Sequence, residues 1–80
     1  MNLEIITPDK KLYHDEVKRV RLPGSNGLFE ILKNHAPIIS TLEKGTIRII
    51  DKDNRKITFE VNGGIVENKE NNIIVLLEKA

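Results

Sequence analysis

The chain has 80 residues, no cysteine, and 13 basic against 12 acidic side chains. That length makes one domain with a core only just adequate, and no disulfide or thiolate metal site supplements it. Opposite charges sit side by side, as in Asp15-Glu16-Val17-Lys18-Arg19 and Asp51-Lys52-Asp53, which is the pattern of a mixed, solvated surface. A nucleic-acid binder needs a basic stripe with stacking aromatics, and the only aromatics are Tyr13, Phe29 and Phe59.

The N-terminus, Met1-Asn2-Leu3-Glu4-Ile5-Ile6-Thr7-Pro8, has no basic segment followed by an apolar one, so it is not a signal peptide. The longest apolar run, Ile73 to Leu77, is five residues, against the roughly 20 that span a bilayer. The expectation is a soluble, cytoplasmic chain with no membrane insertion.

Period-two alternation recurs along the chain, and sustained helical periodicity does not. Leu3 to Ile6 is a first strand, stopped by Pro8-Asp9. Val17 to Leu22 is a second, with Val20 and Leu22 on one face and Val17 out of phase, which predicts a bulge or bend. Gly24-Ser25-Asn26-Gly27 is a tight turn before Ile31-Leu32, and Ile38 to Leu42 is a short extended piece after Pro37. Thr46 to Ile49 and Lys56 to Asn62 alternate cleanly around the polar turn Asp51 to Arg55, so they predict a hairpin with Ile57, Phe59 and Val61 facing a core. Ile65-Val66 follows Gly63-Gly64, and Ile73 to Leu77 reads as a buried strand. Short strands at turn-punctuated intervals predict a single all-β sandwich or barrel over residues 1–80.

Chemistry-bearing residues are sparse. His14 and His35 are far apart, with no thiol nearby, and His14 beside Asp15-Glu16 reads as an exposed strand residue. A hydroxyl nucleophile needs Ser25, Ser40 or Thr41 beside His35, and the spacing sets up no triad. The Gly24–Gly27 turn lacks the Lys and the helix start of a phosphate loop. Gly63-Gly64 has two readings: a bulge or tight bend, or a bare backbone that a partner approaches closely. The expectation is a non-catalytic protein with no cofactor and no metal.

One ordered series is specific. Val20-Arg21-Leu22-Pro23-Gly24-Ser25-Asn26-Gly27 runs through Leu28 to Lys33 into Asn34-His35-Ala36-Pro37. Leu42-Glu43-Lys44-Gly45-Thr46-Ile47 follows, then Val61-Asn62-Gly63-Gly64-Ile65-Val66-Glu67 and Asn72-Ile73-Ile74-Val75-Leu76. The whole chain resembles the N-terminal β-sandwich of the F-type ATP synthase epsilon subunit. The resemblance implies a flattened sandwich of two antiparallel sheets, acting as a non-catalytic central-stalk (rotor) subunit. Its implied partners are the gamma subunit and the membrane c-ring, with no nucleic acid, and its implied place is the cytoplasmic side of the bacterial inner membrane. A small β adaptor or single-strand nucleic-acid module is the alternative.

Matched motif to motif, Ser25, Asn26, Gly27, Leu28 and His35 resemble the family's c-ring-facing end. His35 is then either a polar contact to the ring or a histidine that orders its loop through the local backbone. Ala36, Pro37, Ile38, Ile39, Gly63 and Gly64 resemble segments near gamma; alternation turns one of Ile38 and Ile39 outward. Three positions depart from the family. Phe29-Glu30-Ile31 replaces Leu-Gly-Ile, Lys33-Asn34 replaces Pro-Gly, and Leu28 stands where bacterial relatives often carry an acid. Asn34 has access to the left-handed conformation that Gly would take. Typical members continue into two C-terminal helices that restrain hydrolysis and in some cases bind ATP; without them neither property is expected here.

Overall fold

A 14-residue strand sets the architecture. The computed structural model describes residues 1–78, made of strands, turns and short connections; Lys79 and Ala80, the last two residues of the expected domain over residues 1–80, lie outside the described residues. In chain order the strands are β1 (Asn2–Ile6), β2 (Lys11–Gly24), β3 (Gly27–Leu32), β4 (Ile38–Leu42), β5 (Gly45–Asp51), β6 (Lys56–Val61), β7 (Gly64–Lys69) and β8 (Asn72–Leu77). The first half of β2 pairs with β1 and its second half with β3 and β5. It therefore belongs to two layers: β4-β7-β8-β1 with the start of β2, and β3, β5 and β6 with its end.

The handover falls at the predicted bulge. Against β5 the register slips between Val17 and Arg19, so Val17 and Val20 both point into the core despite their odd spacing. Val17 donates to the Met1 carbonyl at 2.8 Å, which carries the β1 ladder up to the slip. The all-β sandwich expected from the strand pattern is what forms. The pairing adds two details to the picture of two antiparallel sheets. All eight strands share one hydrogen-bonded network, and β1 runs parallel to β8 while its other neighbour is antiparallel. A parallel pair cannot be closed by a hairpin, and here the connection is the entire chain between them.

The core lies between the layers. Leu3 and Ile5 from β1, Val66 from β7 and Ile73 and Val75 from β8 meet Val20, Leu22, Ile31, Ile47 and Ile49 from the other layer, all buried. The β5–β6 hairpin alternates as its sequence predicts, with Ile57 and Phe59 half-buried and Val61 buried. Phe59 packs edge-on against Tyr13 at a ring separation of 5.8 Å.

The β5–β6 turn is held by a buried carboxylate. Asp51 accepts from the backbone N–H groups of Asp53 (2.8 Å) and Arg55 (2.9 Å) and from Arg55 Nε (3.0 Å). The Arg55 backbone N–H is the strongest influence holding the Asp51 carboxyl below its ordinary 3.8, against the opposing effect of burial. A carboxyl depressed in the folded state contributes stability above its unfolded value and loses it as pH falls toward the folded one. Acidification below about pH 4 should therefore destabilise the wild type more steeply than Asp51→Asn, which should be less stable at neutral pH. Urea unfolding at a series of pH values reads both effects, and parallel pH curves for the two proteins would remove Asp51 from the account.

Candidate functional site

The sequence-matched residues divide between the two ends of β4. At its C-terminal end, Ser25 donates its backbone N–H to the Thr41 carbonyl at 3.2 Å, and the two side-chain oxygens lie 2.6 Å apart. Leu42 pairs with Gly64 there. The turn Ser25–Asn26 thus sits beside Gly63-Gly64, and Leu28 projects from the start of β3 with 70% of its surface exposed. Gly27 has a φ of 120°, a backbone conformation that excludes ordinary side chains.

His35 is elsewhere. It follows β3, six residues and roughly 17–20 Å of strand away from the Ser25 turn. Its Nδ1 donates to the Ala36 carbonyl at 2.7 Å, and its backbone N–H donates to Leu32 at 3.1 Å. The ring, on an exposed residue, thus bonds to the local backbone. The hydroxyls have other partners, Ser25 with Thr41 and Ser40 with the Thr41 carbonyl. So His35 is not paired with a hydroxyl among the described residues. His14 is exposed on β2, with Nε2 3.0 Å from Asn2 Oδ1. No group of three or more metal-ligating side chains occurs among the described residues.

The His35 loop is fastened to the β7–β8 turn. Asn34 takes the left-handed conformation (φ 66°), to which Asn has readier access than most side chains. Its N–H donates to Asn71 Oδ1 at 2.7 Å, and Asn71 Nδ2 returns a bond to Asn34 Oδ1 at 3.2 Å. Glu70 and Asn71 both have positive φ, as a two-residue hairpin turn demands. Buried Asn68 adds weak bonds from Nδ2 to the carbonyls of His35 and Ala36.

Of the isoleucine pair, Ile39 is the outward one. It is 73% exposed, while Ile38 packs against the core. Ile39 belongs to a larger apolar field missing from the sequence reading. Ile39, Glu67 and Ile74 lie directly across β4, β7 and β8, and Thr41, Ile65 and Leu76 form the adjacent row. Ile65, Ile74 and Leu76 are between 36% and 48% exposed. The run Ile73 to Leu77 is therefore buried on one face only, in contrast to the fully buried strand expected. The available signal was architectural: in a two-layer sandwich every strand has one uncovered face.

Gly64 has a reason within its own sheet. A Cβ there would collide with the Leu76 carbonyl of β8, so the bare backbone serves strand packing. The aromatics offer no stacking platform: Tyr13 and Phe59 pack on each other and Phe29 against the core.

Comparison with known proteins adds the family. The pattern described as "ATP synthase, Delta/Epsilon chain, beta-sandwich domain" matches residues 1–80. The chain belongs to the ATP synthase epsilon family. Epsilon chains of Chlorobaculum tepidum and Chlorobium limicola are both 40% identical to it, over 96% and 95% of this chain and 88% and 86% of theirs. The Campylobacter concisus epsilon chain is 39% identical over all of this chain and 62% of its own. The fold is similar to one in the Euglena gracilis mitochondrial ATP synthase (TM-score 0.87, 14% identity, 94% of this chain and 48% of that one). It is also similar to one in the central stalk/c-ring of the Tetrahymena thermophila enzyme (0.80, 20%, 99% and 63%).

The Asn34–Asn71 clasp predicts an asymmetric pair of variants in this epsilon chain. Asn34→Ala keeps an unfavourable φ and the backbone half of the clasp but loses the bond from Asn71 Nδ2 to its side chain, a cost of about 1–2 kcal/mol. Asn34→Gly relieves the φ as it loses the bond, and should fall within about 0.5 kcal/mol of wild type. Urea midpoints measure both; equal losses would show that backbone conformation is not what the position demands.

Proposed function

We propose that this epsilon chain is a non-catalytic rotor part of an F-type ATP synthase, seated between gamma and the c-ring on the cytoplasmic side of the bacterial inner membrane. The observation that carries the reading is the apolar field Ile39, Ile65, Ile74 and Leu76, uncovered on one face of a protein in this family. Uncovered aliphatic side chains in adjacent rows are the material of a lasting protein interface. Gamma is the occupant that a central-stalk role calls for. Pro37, Ile38 and Ile39 border a surface groove with Glu67 and Lys69, so the apolar rows have a polar rim at the His35 end.

The ring contact falls to the other end. The Ser25–Asn26 turn and Leu28 project together there, and Leu28 gives that contact an apolar element in place of an acid. His35, fastened to Asn68 and Asn71, groups with Ala36–Ile39, so its role is to order the gamma-facing loop. Gly63 and Gly64 support the same sheet from within.

The experiment is affinity purification of the tagged chain from its own cells after mild detergent extraction. Ile39→Glu should fold normally, because the site is exposed, and recover at least tenfold less gamma. Leu28→Asp should retain gamma and release the c-ring at lower salt than wild type. Undiminished recovery of gamma with Ile39→Glu would overturn the apolar-face assignment.

A further inference from the structure

The outer face of the second layer has the opposite character. Arg19 and Arg21 of β2, Arg48 of β5 and Lys56 of β6 line a groove of about 220 Å³. Glu30 of β3 is its one acidic lining residue. The register arranges the cations in two rows. Arg21 lies directly opposite Arg48, which is opposite Thr58; Arg19 lies opposite Ile50, which is opposite Lys56.

This arrangement is unfavourable for the isolated fold. Like charges directly across an antiparallel pair repel. Glu30 relieves them little: its Oε2 is 4.0 Å from both Arg19 Nε and Arg21 Nη2, the outer limit of an ion pair and shared between two cations. Arg48 and Lys56 have no ion-pair partner among the described residues. Four cations gathered around one acid, on a chain whose overall charge is nearly balanced, are a local feature.

The donors also discriminate between anions. Many compact phosphate sites converge backbone N–H groups on one point, at a helix start or a turn nest. In this groove the backbone of β2 and β5 is spent on ladders to both neighbours, so only side chains face outward. Guanidinium forks bind carboxylates and phosphates alike, and here they are spread over two rows, which suits the spaced carboxylates of an extended acidic segment better than one compact anion. Half-buried Ile50 lies between Arg19 and Lys56 and gives the face an apolar element.

We infer that this face docks an acidic segment of a partner protein, with carboxylates held by Arg21–Arg48 and by Arg19–Lys56 and an aliphatic side chain resting on Ile50. It would be a third contact, on the side of the sandwich turned away from the apolar field. It does not depend on the gamma and c-ring reading.

The test is a titration of isotopically labelled protein with a synthetic Glu- and Leu-containing peptide of about twelve residues, followed by amide chemical shifts. The comparison ligands are the same peptide with Gln for Glu, tripolyphosphate, and oligothymidylate. Saturable shifts confined to residues around Arg19, Arg21, Arg48 and Lys56, with binding at least tenfold weaker for the Gln peptide, support the proposal. Arg21→Gln/Arg48→Gln should weaken the acidic peptide at least tenfold. It should also melt no lower than wild type, since the repulsion is gone. Lys56→Gln, at the far strand, should weaken it less. No shift at millimolar peptide, unchanged affinity in the double variant, or tighter binding of tripolyphosphate or oligothymidylate would each overturn it.

Discussion

Everything in this molecule hangs on β2 changing layers. A strand long enough to pair with β1 at its start and with β3 and β5 at its end ties the two sheets together by covalent chain and by hydrogen bonds. The slip at Val17–Arg19 makes this workable. Without the extra residue, Val17 and Val20 would point to opposite faces, and one layer would turn its apolar side to water. With it, both valines reach the core. Asp51, buried where β5 meets the same slip, then organises the next turn with its carboxylate.

The sequence patterns that were legible are those set by local physics. Strand alternation in β5 and β6, the out-of-phase Val17 and the polar Asp51–Arg55 turn each follow from one or a few neighbouring residues, whereas the left-handed Asn34 was implied by the family resemblance. The start of β2 was less visible because Tyr13-His14-Asp15-Glu16 carries charge where a strand core is usually apolar. Those residues pair with β1, where His14 and Glu16 are exposed and Asp15 is half-buried, while Tyr13 turns inward against Phe59. The parallel pairing of β1 with β8 had no local sign, because it joins the two ends of the chain.

Two expectations change once the strands are placed. Ser25–Leu28 and His35 are close along the chain, but β3 runs straight between them and holds them at opposite ends. Ile73 to Leu77 looked uniformly apolar, and period two split it into a core face and an outer face. What remains legible after the split is more useful than the original assignment. Ile74 and Leu76 are on the outside of a small protein, in register with Ile65 and Ile39, where solvation alone would select polar side chains.

The two outer faces are costly in complementary ways. One exposes aliphatic rows to water, and the other sets arginine opposite arginine. An 80-residue domain has little stability to spare, so neither feature is explained by the fold itself. The polar clasps, by contrast, serve the fold: Ser25 with Thr41, Asn34 with Asn71 and Asp51 with Arg55 each fasten one turn to a strand or to another turn. They fix the ends of the sandwich, leaving its broad faces as the surfaces where the chain is incomplete alone. A stiff body with fastened ends and two unsatisfied faces fits the proposed rotor role. Close packing resists deformation, and the proposed apolar seat and cationic groove would hold from opposite sides.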